Sequence, residues 1–437
     1  MTHPVRSVAA ALLGIIGLFC AACTPVEAAP AAGTSTGVEA APAAGTSTGL
    51  DLPRIPWEGG PDYWKSFANA DAAGWDDPGF FPVAIWYNGI SSDEEVRFDK
   101  EHGINTYMGM DSSTPYSIFE RNSVYWIGGK LNESFTPAGT NWVGAFLDDE
   151  VDGRFTPEDG RKHLQDLTDA APAGLFKYAN FTQMVLSHYM PASDAQAFVN
   201  GYTDTVSVDM YWYTIPYCSI EPYQNAHVIP VDAATCRTSS SYGKTMKALR
   251  QQDAADGKLQ PLWQFVENLN GGPGEGPFVS NISPAQLEGA VMSSIINEAR
   301  GIIYFNQSLS GPCGGGSVLR LAQVMTDFCG APQIDAMKDV NSRIHELAPV
   351  LNTQSYDYSL GDGLDTMLKT YEGSAYIFAM ATGESVPGNR AFALPPDIKA
   401  DSVEVLFEER SLPVDGSGRF SDSFAHESAY HVYKVKL

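Results

Sequence analysis

The sequence contains little positive charge. Its 437 residues include 27 Lys and Arg against 52 Asp and Glu, which gives a formal net charge of −25 at pH 7. The acidic residues are spread over many segments, and the chain has no basic stripe and no glycine-rich loop of the kind that cradles phosphate. Nucleic acid and anionic membranes repel such a chain. The composition therefore excludes a polyanion as a natural partner.

Metal-binding patterns are also missing, and no apolar run is long enough for a typical membrane helix. The 6 Cys and 8 His lack the close spacing of a zinc site, so we expect neither a metal nor another cofactor. The apolar stretch VAAALLGIIGLFCAAC follows Arg6 and is too short and too weakly flanked for a permanent membrane helix. We predict an export signal peptide over residues 1–22.

The segment behind the signal resembles that of a bacterial lipoprotein. Ala21 and Ala22 precede Cys23, although Cys20 occupies the position where Leu is usual in a lipobox. This pattern predicts lipidation of Cys23 and a cell-surface location. Cleavage at a later alanine-rich site, which would release an extracellular protein, is the alternative.

A tandem repeat separates this cysteine from the rest of the chain. The twelve-residue segment VEAAPAAGTSTG occurs at 26–37 and again, unchanged, at 38–49. Its small and polar residues cannot bury enough apolar surface to offset the entropy of the chain. We therefore predict a flexible tether over residues 23–49.

Four further cysteines predict two disulfides. An exported chain with an even number of remaining cysteines is expected to pair them. Short local loops favour two pairs over the other combinations, namely Cys218–Cys236 and Cys313–Cys329. Both pairs would steady loops that follow predicted strands.

Eight short apolar or aromatic runs alternate with helical periodicity from Phe80 onward. They are FFPVAIWYN, GINTYMGM, SVYWIGG, WVGAFLDDE, FKYANFTQMV, VSVDMYWYT, PLWQFVEN and GIIYFNQS. Intervening segments such as TPEDGRKHLQDLTDAA and SPAQLEGAVMSSIINEAR open with a hydroxyl residue and Pro, which is typical of a helix start. Eight strand–helix units in roughly 270 residues predict an α/β fold, a (β/α)₈ TIM barrel within residues 50–355. An open doubly wound sheet usually has a glycine-rich turn after its first strand, and WYNGISSDEE lacks one.

The C-terminal segment changes character. GSAYIFAMATG, SVEVLFEE and SAYHVYKVKL alternate with a period of two and are separated by turn residues. This pattern predicts a small antiparallel β-domain, sandwich-like, over residues 356–437.

Carboxylates are crowded where the fourth run ends. In VGAFLDDEVDG the residues Asp148, Asp149, Glu150 and Asp152 follow an apolar strand. Because like charges repel, folding alone gains nothing from this cluster. The active sites of TIM barrels lie at the carboxyl ends of the strands, and the seventh run also ends in an acid, Glu267. Two such glutamates can flank a glycosidic bond, and their repulsion would help one of them to keep its proton.

With these two glutamates the sequence resembles the clan of retaining glycoside hydrolases built on (β/α)₈ barrels, roughly over Phe80–Leu351. The resemblance implies that Glu150 is the acid/base and Glu267 the nucleophile. The clan usually has Asn before the acid/base, where Asp149 stands here. A tyrosine after the sixth strand often holds the nucleophile, and both Tyr211 and Tyr213 are available for that role.

Other residues at strand ends are candidates for contacts with a sugar. Aromatic faces stack on sugar rings, although each aromatic residue could equally belong to the core. The candidate substrate contacts are Asp149, Trp86, Asn180, Tyr211, Tyr213, Trp263, Tyr304 and Asn306. We expect a monomer that acts on a polysaccharide or oligosaccharide, for instance an arabinan or galactan of the cell envelope.

Two other interpretations use the same residues, and a third belongs to a different class. Asp148, Glu150, Asp152 and Gly153, with Asp159, partly match a calcium loop. Asp148 and Glu150 also form the D-x-E pattern of substrate-assisted, chitinase-like barrels, but that mechanism leaves Glu267 without a role. A surface-tethered barrel without activity could bind polysaccharide, and such a barrel would not need the paired glutamates.

Overall fold

The computed structural model describes residues 49–110, 112–187, 189–215, 235–272, 280–311, 313–383 and 387–437. The predicted signal peptide, Cys23 and almost all of the predicted tether lie outside these ranges. Within the described ranges, no helix is both long and apolar enough to cross a membrane.

A closed barrel of eight parallel strands confirms the predicted TIM barrel, and each of the eight predicted runs contributes one strand. The last barrel strand pairs with the first, which closes the sheet. In chain order the strands to this point are β1 (Arg54–Ile55), which precedes the barrel, and the barrel strands β2 (Val83–Trp86), β3 (Thr106–Met108), β4 (Tyr125–Ile127), β5 (Trp142–Asp149), β6 (Phe176–Phe181), β7 (Thr205–Val208), β8 (Leu262–Glu267) and β9 (Ile302–Phe305).

Helices connect the strands and cover the barrel. Two predicted helix starts are confirmed: the Thr156 side chain accepts from the Asp159 N–H, and Ser283 forms a capping box with Gln286. Short 3₁₀ helices occupy Gln183–Leu186 and Ala254–Asp256. The described α-helices are α1 (Pro61–Trp64), α2 (Ala68–Ala72), α3 (Asp93–Glu101), α4 (Ser117–Asn122), α5 (Val151–Arg154), α6 (Pro157–Ala170), α7 (Ala192–Gly201), α8 (Ser239–Asp253), α9 (Pro284–Ile296), α10 (Val318–Val324) and α11 (Ala331–Leu351).

Alternate residues of β8 fill the barrel interior. The Trp263 ring lies 5.7 Å from the ring of Tyr178 on β6, and the Phe265 ring lies 5.6 Å from that of Trp86 on β2. Neither of these strands is a neighbour of β8, so the contacts cross the interior. Because side chains alternate along a strand, the next inward residue is Glu267, at the carboxyl end.

Antiparallel sheets at the C-terminus confirm the predicted β-domain. Its strands are β10 (Ser355–Tyr356), β11 (Leu364–Tyr371), β12 (Ser374–Ala381), β13 (Gly388–Ala393), β14 (Ser402–Val405), β15 (Arg410–Pro413), β16 (Arg419–Phe424) and β17 (Tyr430–Lys436). Strands β13 and β16 form a separate pair, which packs through Phe392 and Phe420 against Tyr433 of the larger sheet. Strand β1 pairs with β10, so the segment before the barrel also joins this sheet.

The structure contains the predicted disulfide Cys313–Cys329. Cys236 is also disulfide-bonded. Its predicted partner, Cys218, lies outside the described residues, so that pairing stays a prediction.

Candidate active site

The pairing between β5, the fourth barrel strand, and β6 is irregular, and this irregularity directs the acidic side chains at the end of β5 to different sides. Phe146 pairs with Tyr178 but Asp149 pairs with Asn180, so β5 contains one extra residue. This irregularity turns Asp148 outward, where Arg154 and His163 contact its two oxygens at 2.7 and 2.6 Å. Burial opposes ionisation, but hydrogen bonds from the Asp149 N–H, His163 and Arg154 lower the pKa of Asp148.

Asp149 faces the barrel mouth. Its Oδ1 accepts from Asn180 Nδ2 at 2.9 Å, and Asn180 Oδ1 accepts from Ser207 Oγ at 2.6 Å. Burial raises the pKa of Asp149 to about 6, and the neighbouring charge of Glu150 adds to this effect. Asp149 therefore gains and loses its proton at a higher pH than an exposed aspartate does.

The backbone of Glu150 is fixed in a strained conformation. Its φ of 51° lies in the left-handed region, which costs a non-glycine residue about 1–3 kcal/mol. Its N–H donates to the carbonyl of Asn180 at 2.9 Å, and its carbonyl accepts from the N–H groups of Gly153 and Arg154. Hydrogen bonds of both its N–H and its carbonyl therefore fix the backbone of Glu150 directly after β5, and this sets the position of its side chain.

Asp209 follows β7 and forms a hydrogen bond with Glu150, side chain to side chain. Burial first, and then the negative charges of Glu150 and Asp149, raise the pKa of Asp209 well above its usual range. Burial and these neighbours therefore favour the protonated form of Asp209, whose carboxyl faces that of Glu150.

Glu267 at the end of β8 is completely buried. Its Oε2 accepts from Tyr242 Oη at 2.6 Å, and its Oε1 accepts from Thr214 Oγ1 at 3.3 Å. Burial raises the pKa of Glu267 to about 7, although the bonds from Tyr242 and Thr214 act in the opposite direction. Neutral donors thus hold a carboxyl group that titrates near neutral pH.

Tyr211 lies near both Glu267 and the group formed by Asp149, Glu150 and Asp209. Its ring lies 5.1 Å from that of Phe305, inside the mouth of the barrel. Burial first, and then the charges of Asp209, Asp149, Glu150 and Glu267, raise the pKa of the Tyr211 phenol well above its usual range. Carboxyl groups from three strands are therefore all within electrostatic reach of one side chain.

The acids of the possible calcium loop have separate partners. Asp148 contacts Arg154 and His163, whereas Asp152 accepts two bonds from the backbone N–H of Thr182 and one from its hydroxyl. Among the described residues, no group of three or more His, Cys, Asp or Glu is arranged to hold a metal ion.

Two aromatic candidates for sugar contacts lie in the core, which corrects the prediction. Trp263 has no exposed surface and packs in the lower part of the barrel, 6.2 Å from the Trp75 ring. Tyr304 is also fully buried, and its hydroxyl donates to Asn341 of α11, outside the barrel. A sugar cannot reach either ring, because the alternation of β8 and β9 directs one deep inside and the other into the helix layer.

The remaining candidates lie near the mouth. Trp86 is 6% exposed, and its ring contacts those of Phe146 and Phe265. Asn180 binds Asp149, beside Glu150. Asn306 is buried, donates to Asn88 and Ser317, and accepts from the Leu319 N–H, so its amide braces neighbouring loops.

The tyrosine that holds Glu267 is neither of the two predicted ones. Tyr242, near the start of α8, donates to Glu267. The Tyr213 hydroxyl instead donates to Glu427 of the β-domain at 2.7 Å. No local signal marks Tyr242, since it lies on a helix that follows a long connection.

Sequence reasoning also missed Asp209 and Tyr87. Asp209 directly follows a barrel strand, which is the same signal that identified Glu150 and Glu267. Tyr87 follows β2 with a φ of 56°, and its ring lies over Gly109 while 51% of the residue stays exposed. A strained backbone that presents an aromatic ring to solvent is typical of binding sites.

No protein-family model matches the chain, and no curated protein does. Solved structures with a similar fold include a maltogenic alpha-amylase from Thermotoga neapolitana, with 9% identity over 83% of this chain and 99% of that one and a TM-score of 0.47. A GH30 endoxylanase from Clostridium papyrosolvens C71 has 11% identity over 82% and 96% of the two chains and a TM-score of 0.43. These values are too low for an activity to be transferred to this chain.

Proposed function

We propose that the protein is an exported retaining glycoside hydrolase. The observation that carries the proposal is that carboxyl groups stand at the carboxyl ends of three barrel strands: Glu150 directly after β5, Asp209 directly after β7 and Glu267 as the last residue of β8. Two of them, Glu150 and Glu267, end β5 and β8, where a TIM barrel has its chemistry. A protein that only bound carbohydrate would not need buried, titrating acids at this place.

The roles follow from the surroundings of each glutamate. Glu267, in its ionised form, attacks the anomeric carbon and forms a glycosyl–enzyme ester, while Glu150 donates its proton to the departing glycosidic oxygen. Glu150 then takes a proton from water, the water attacks the same carbon, and Glu267 leaves. Two displacements retain the anomeric configuration.

Hydrogen-bond donors next to Glu267 affect its ionisation. The hydroxyls of Tyr242 and Thr214 favour the ionised form of Glu267 against the effect of burial. Because the nucleophile must be ionised and its pKa is about 7, we expect kcat/KM to rise with pH through a limb near neutrality. Asp149 takes the place of the usual Asn beside the acid/base, so its contact with the 2-position of the sugar would differ from that of the clan.

The expected location of the enzyme suggests its substrate. We propose a polysaccharide or oligosaccharide, with envelope arabinans and galactans as the first candidates for a tethered surface enzyme. Residues 1–22 as signal, Cys23 as lipid site and 23–49 as tether would place the domains 50–355 and 356–437 outside the cell. Loss of the protein from membranes in a Cys23→Ser variant would support the anchor, and a mature chain that begins beyond Cys23 would refute it.

A second candidate is substrate-assisted hydrolysis, which one observation favours. Asp209 and Asp149 both lie next to Glu150. In this mechanism Glu150 donates its proton to the departing oxygen, and a group of the substrate itself attacks the anomeric carbon in place of a protein nucleophile. That mechanism predicts that Glu267→Gln remains nearly active.

The deciding experiment is incubation with a panel of plant and bacterial polysaccharides, followed by chromatography of the products. The anomeric configuration of the first product is read by ¹H NMR. Retention together with loss of activity in Glu267→Gln supports the proposal. Inversion, or wild-type activity of Glu267→Gln, would refute it.

A further inference from the structure

A glutamate of the C-terminal β-domain reaches the helix that carries Tyr242. Glu427 lies between β16 and β17. Its Oε2 accepts from the backbone N–H of Ser239, the first residue of α8, at 2.9 Å. Its Oε1 accepts from the hydroxyl of Tyr213 at 2.7 Å. One carboxylate of the β-domain thus binds two parts of the barrel.

Helix α8 has no cap of its own. The side chain of its N-cap residue, Thr238, makes no capping bond, and its hydroxyl donates to the Thr235 carbonyl instead. The first turn of α8 also contains no acidic residue. An anion is favourable at a helix N-terminus, where N–H groups lack partners. Glu427 supplies a carboxyl group there from a position 188 residues away along the chain. Burial raises the pKa of Glu427, whereas the bond from the Ser239 N–H favours its ionised form.

The β-domain is closely fitted to this helix end. A Cβ atom on Gly289 of α9 would collide with the Ser239 hydroxyl and with Ser428. A Cβ atom on Gly383, which follows β12, would lie 2.6 Å from Thr238 Oγ1. The β-domain thus lies against this region at Ser428, next to Gly289 of α9, and at Gly383, next to Thr238, and neither glycine has room for a Cβ atom.

The contact continues to the proposed nucleophile. Tyr242 lies three residues after Ser239, on the next turn of α8. Its hydroxyl donates to Glu267 Oε2 at 2.6 Å and accepts from the Tyr213 N–H at 3.3 Å. Both residues that Glu427 binds are therefore linked to Tyr242.

We infer that Glu427 is a positioning residue: by capping α8 and binding Tyr213 it holds the Tyr242 hydroxyl against Glu267, so the β-domain is part of the catalytic unit. This inference rests on the proposed function for the importance of Glu267, but the coupling itself does not depend on it. The Glu427 side chain does not touch the reacting atoms in this arrangement.

The test compares the titration of Glu267 in the full chain carrying Glu427→Ala or Glu427→Gln. Both substitutions remove the same charge, but the Gln oxygen still accepts from the Ser239 N–H. Carboxyl ¹³C NMR, with the Glu267 signal assigned through Glu267→Gln, measures the pKa directly. We expect the pKa of Glu267 to be higher in Glu427→Ala than in Glu427→Gln by about half a pH unit or more, since the carboxylate loses a well-placed donor. Glu404→Ala, an exposed site on β14 of the same domain, should titrate like wild type.

Repeating the comparison in a protein that also carries Tyr242→Phe distinguishes an effect on the Tyr242 hydroxyl from a general loss of structure. In Tyr242→Phe the donor is absent, so Glu427→Ala and Glu427→Gln should give the same pKa for Glu267. Equal titration of the two variants in the wild-type background would overturn the inference, as would a difference that persists undiminished with Tyr242→Phe. If Glu427→Ala does not fold, Tyr213→Phe should raise the pKa of Glu267 to a smaller extent, and an unchanged pKa would contradict the inference.

The titration requires no substrate. A protein that shows this coupling but hydrolyses no glycoside would refute the proposed function and leave the positioning role in place. In an active enzyme, kcat of Glu427→Ala should fall about fivefold with little change in KM, because the variant affects a catalytic group and not a sugar contact.

Discussion

The two ends of the barrel bury charged side chains in opposite ways. Before β9, at the amino-terminal end, Glu298 forms an ion pair with Arg300, whose guanidinium lies 4.2 Å from the Trp57 ring. At the carboxyl end, the hydroxyls of Tyr242 and Thr214 bind Glu267, and the carboxyl of Asp209 binds Glu150. In the ion pair each charge is compensated by its partner, whereas Glu267, which has only neutral hydroxyl donors, has a pKa of about 7. That difference separates a structural cluster from one suited to proton transfer and nucleophilic attack.

A third buried charge strengthens the contrast. Lys369 of the β-domain is completely buried near the same ion pair, and its ammonium lies 4.8 Å from the Trp57 ring. Burial, and then the charge of Arg300, lower the pKa of Lys369 well below its usual range. The amino-terminal cluster thus joins the barrel to the β-domain, whereas the carboxyl-terminal cluster contains the groups to which we assign the chemistry.

The largest expected effect is the loss of the nucleophile. Glu267→Gln should reduce kcat/KM by more than about 10³-fold on every substrate, because in the proposed mechanism no other group forms the glycosyl–enzyme bond. Steady-state kinetics with natural and activated glycosides measure this loss. Residual activity above one per cent of wild type would contradict the assignment of Glu267 as the nucleophile and, with it, the functional difference between the two ends of the barrel.

Loss of the acid/base should depend on the leaving group. Glu150→Gln should slow hydrolysis of natural glycosides by about 10²–10⁴-fold, since the departing oxygen then receives no proton. A dinitrophenyl glycoside needs no such proton, so its first step should be nearly unaffected and a burst of dinitrophenol is expected in stopped-flow absorbance. Equal losses on both substrates would show that Glu150 has another role.

At the opposite end, a similar substitution should affect stability and not chemistry. Glu298→Gln leaves Arg300 buried beside an uncharged partner, which should lower the free energy of unfolding by about 3–5 kcal/mol. Urea denaturation measures the change. The folded fraction should keep its kcat, and a large fall in kcat would mean that the two ends are not independent.

The fold could be predicted from the sequence, whereas the fine structure of the site could not. The eight runs and the acids at their ends follow from local periodicity, and Asp209 follows its strand in the same way as Glu267. The direction of Asp148 and Asp149 depends on one extra residue in the pairing of β5 with β6, which composition does not reveal. Tyr242 and Glu427 reach the site through packing between distant segments. Local patterns contain no information on such contacts.

The smallest expected effect is the pH dependence of stability. The pKa of Glu267 is about 7 in the folded protein against an ordinary 4.5, so the folded state binds more protons between these values. Stability should therefore fall as the pH rises from about 4.5 to 7. At about 1.4 kcal/mol per pH unit, the contribution of this group is about 3 kcal/mol.

Thermal or urea unfolding at pH 5 and pH 8 measures this dependence. Glu267→Gln should show a shallower pH slope than wild type and be the more stable protein at pH 8, because it buries no ionised carboxylate. Identical slopes for wild type and Glu267→Gln would contradict the description of Glu267 as a titrating group.

The most direct test of the account is covalent capture of the nucleophile. Once the panel has identified the sugar, the wild-type enzyme is incubated with the corresponding 2-deoxy-2-fluoro dinitrophenyl glycoside, which forms the glycosyl–enzyme ester but hydrolyses it slowly. Proteolysis and mass spectrometry then locate the label. The account predicts one sugar per chain, attached to Glu267 in the segment PLWQFVEN. Attachment to Glu150 or Asp149, or inactivation without any covalent label, would contradict it.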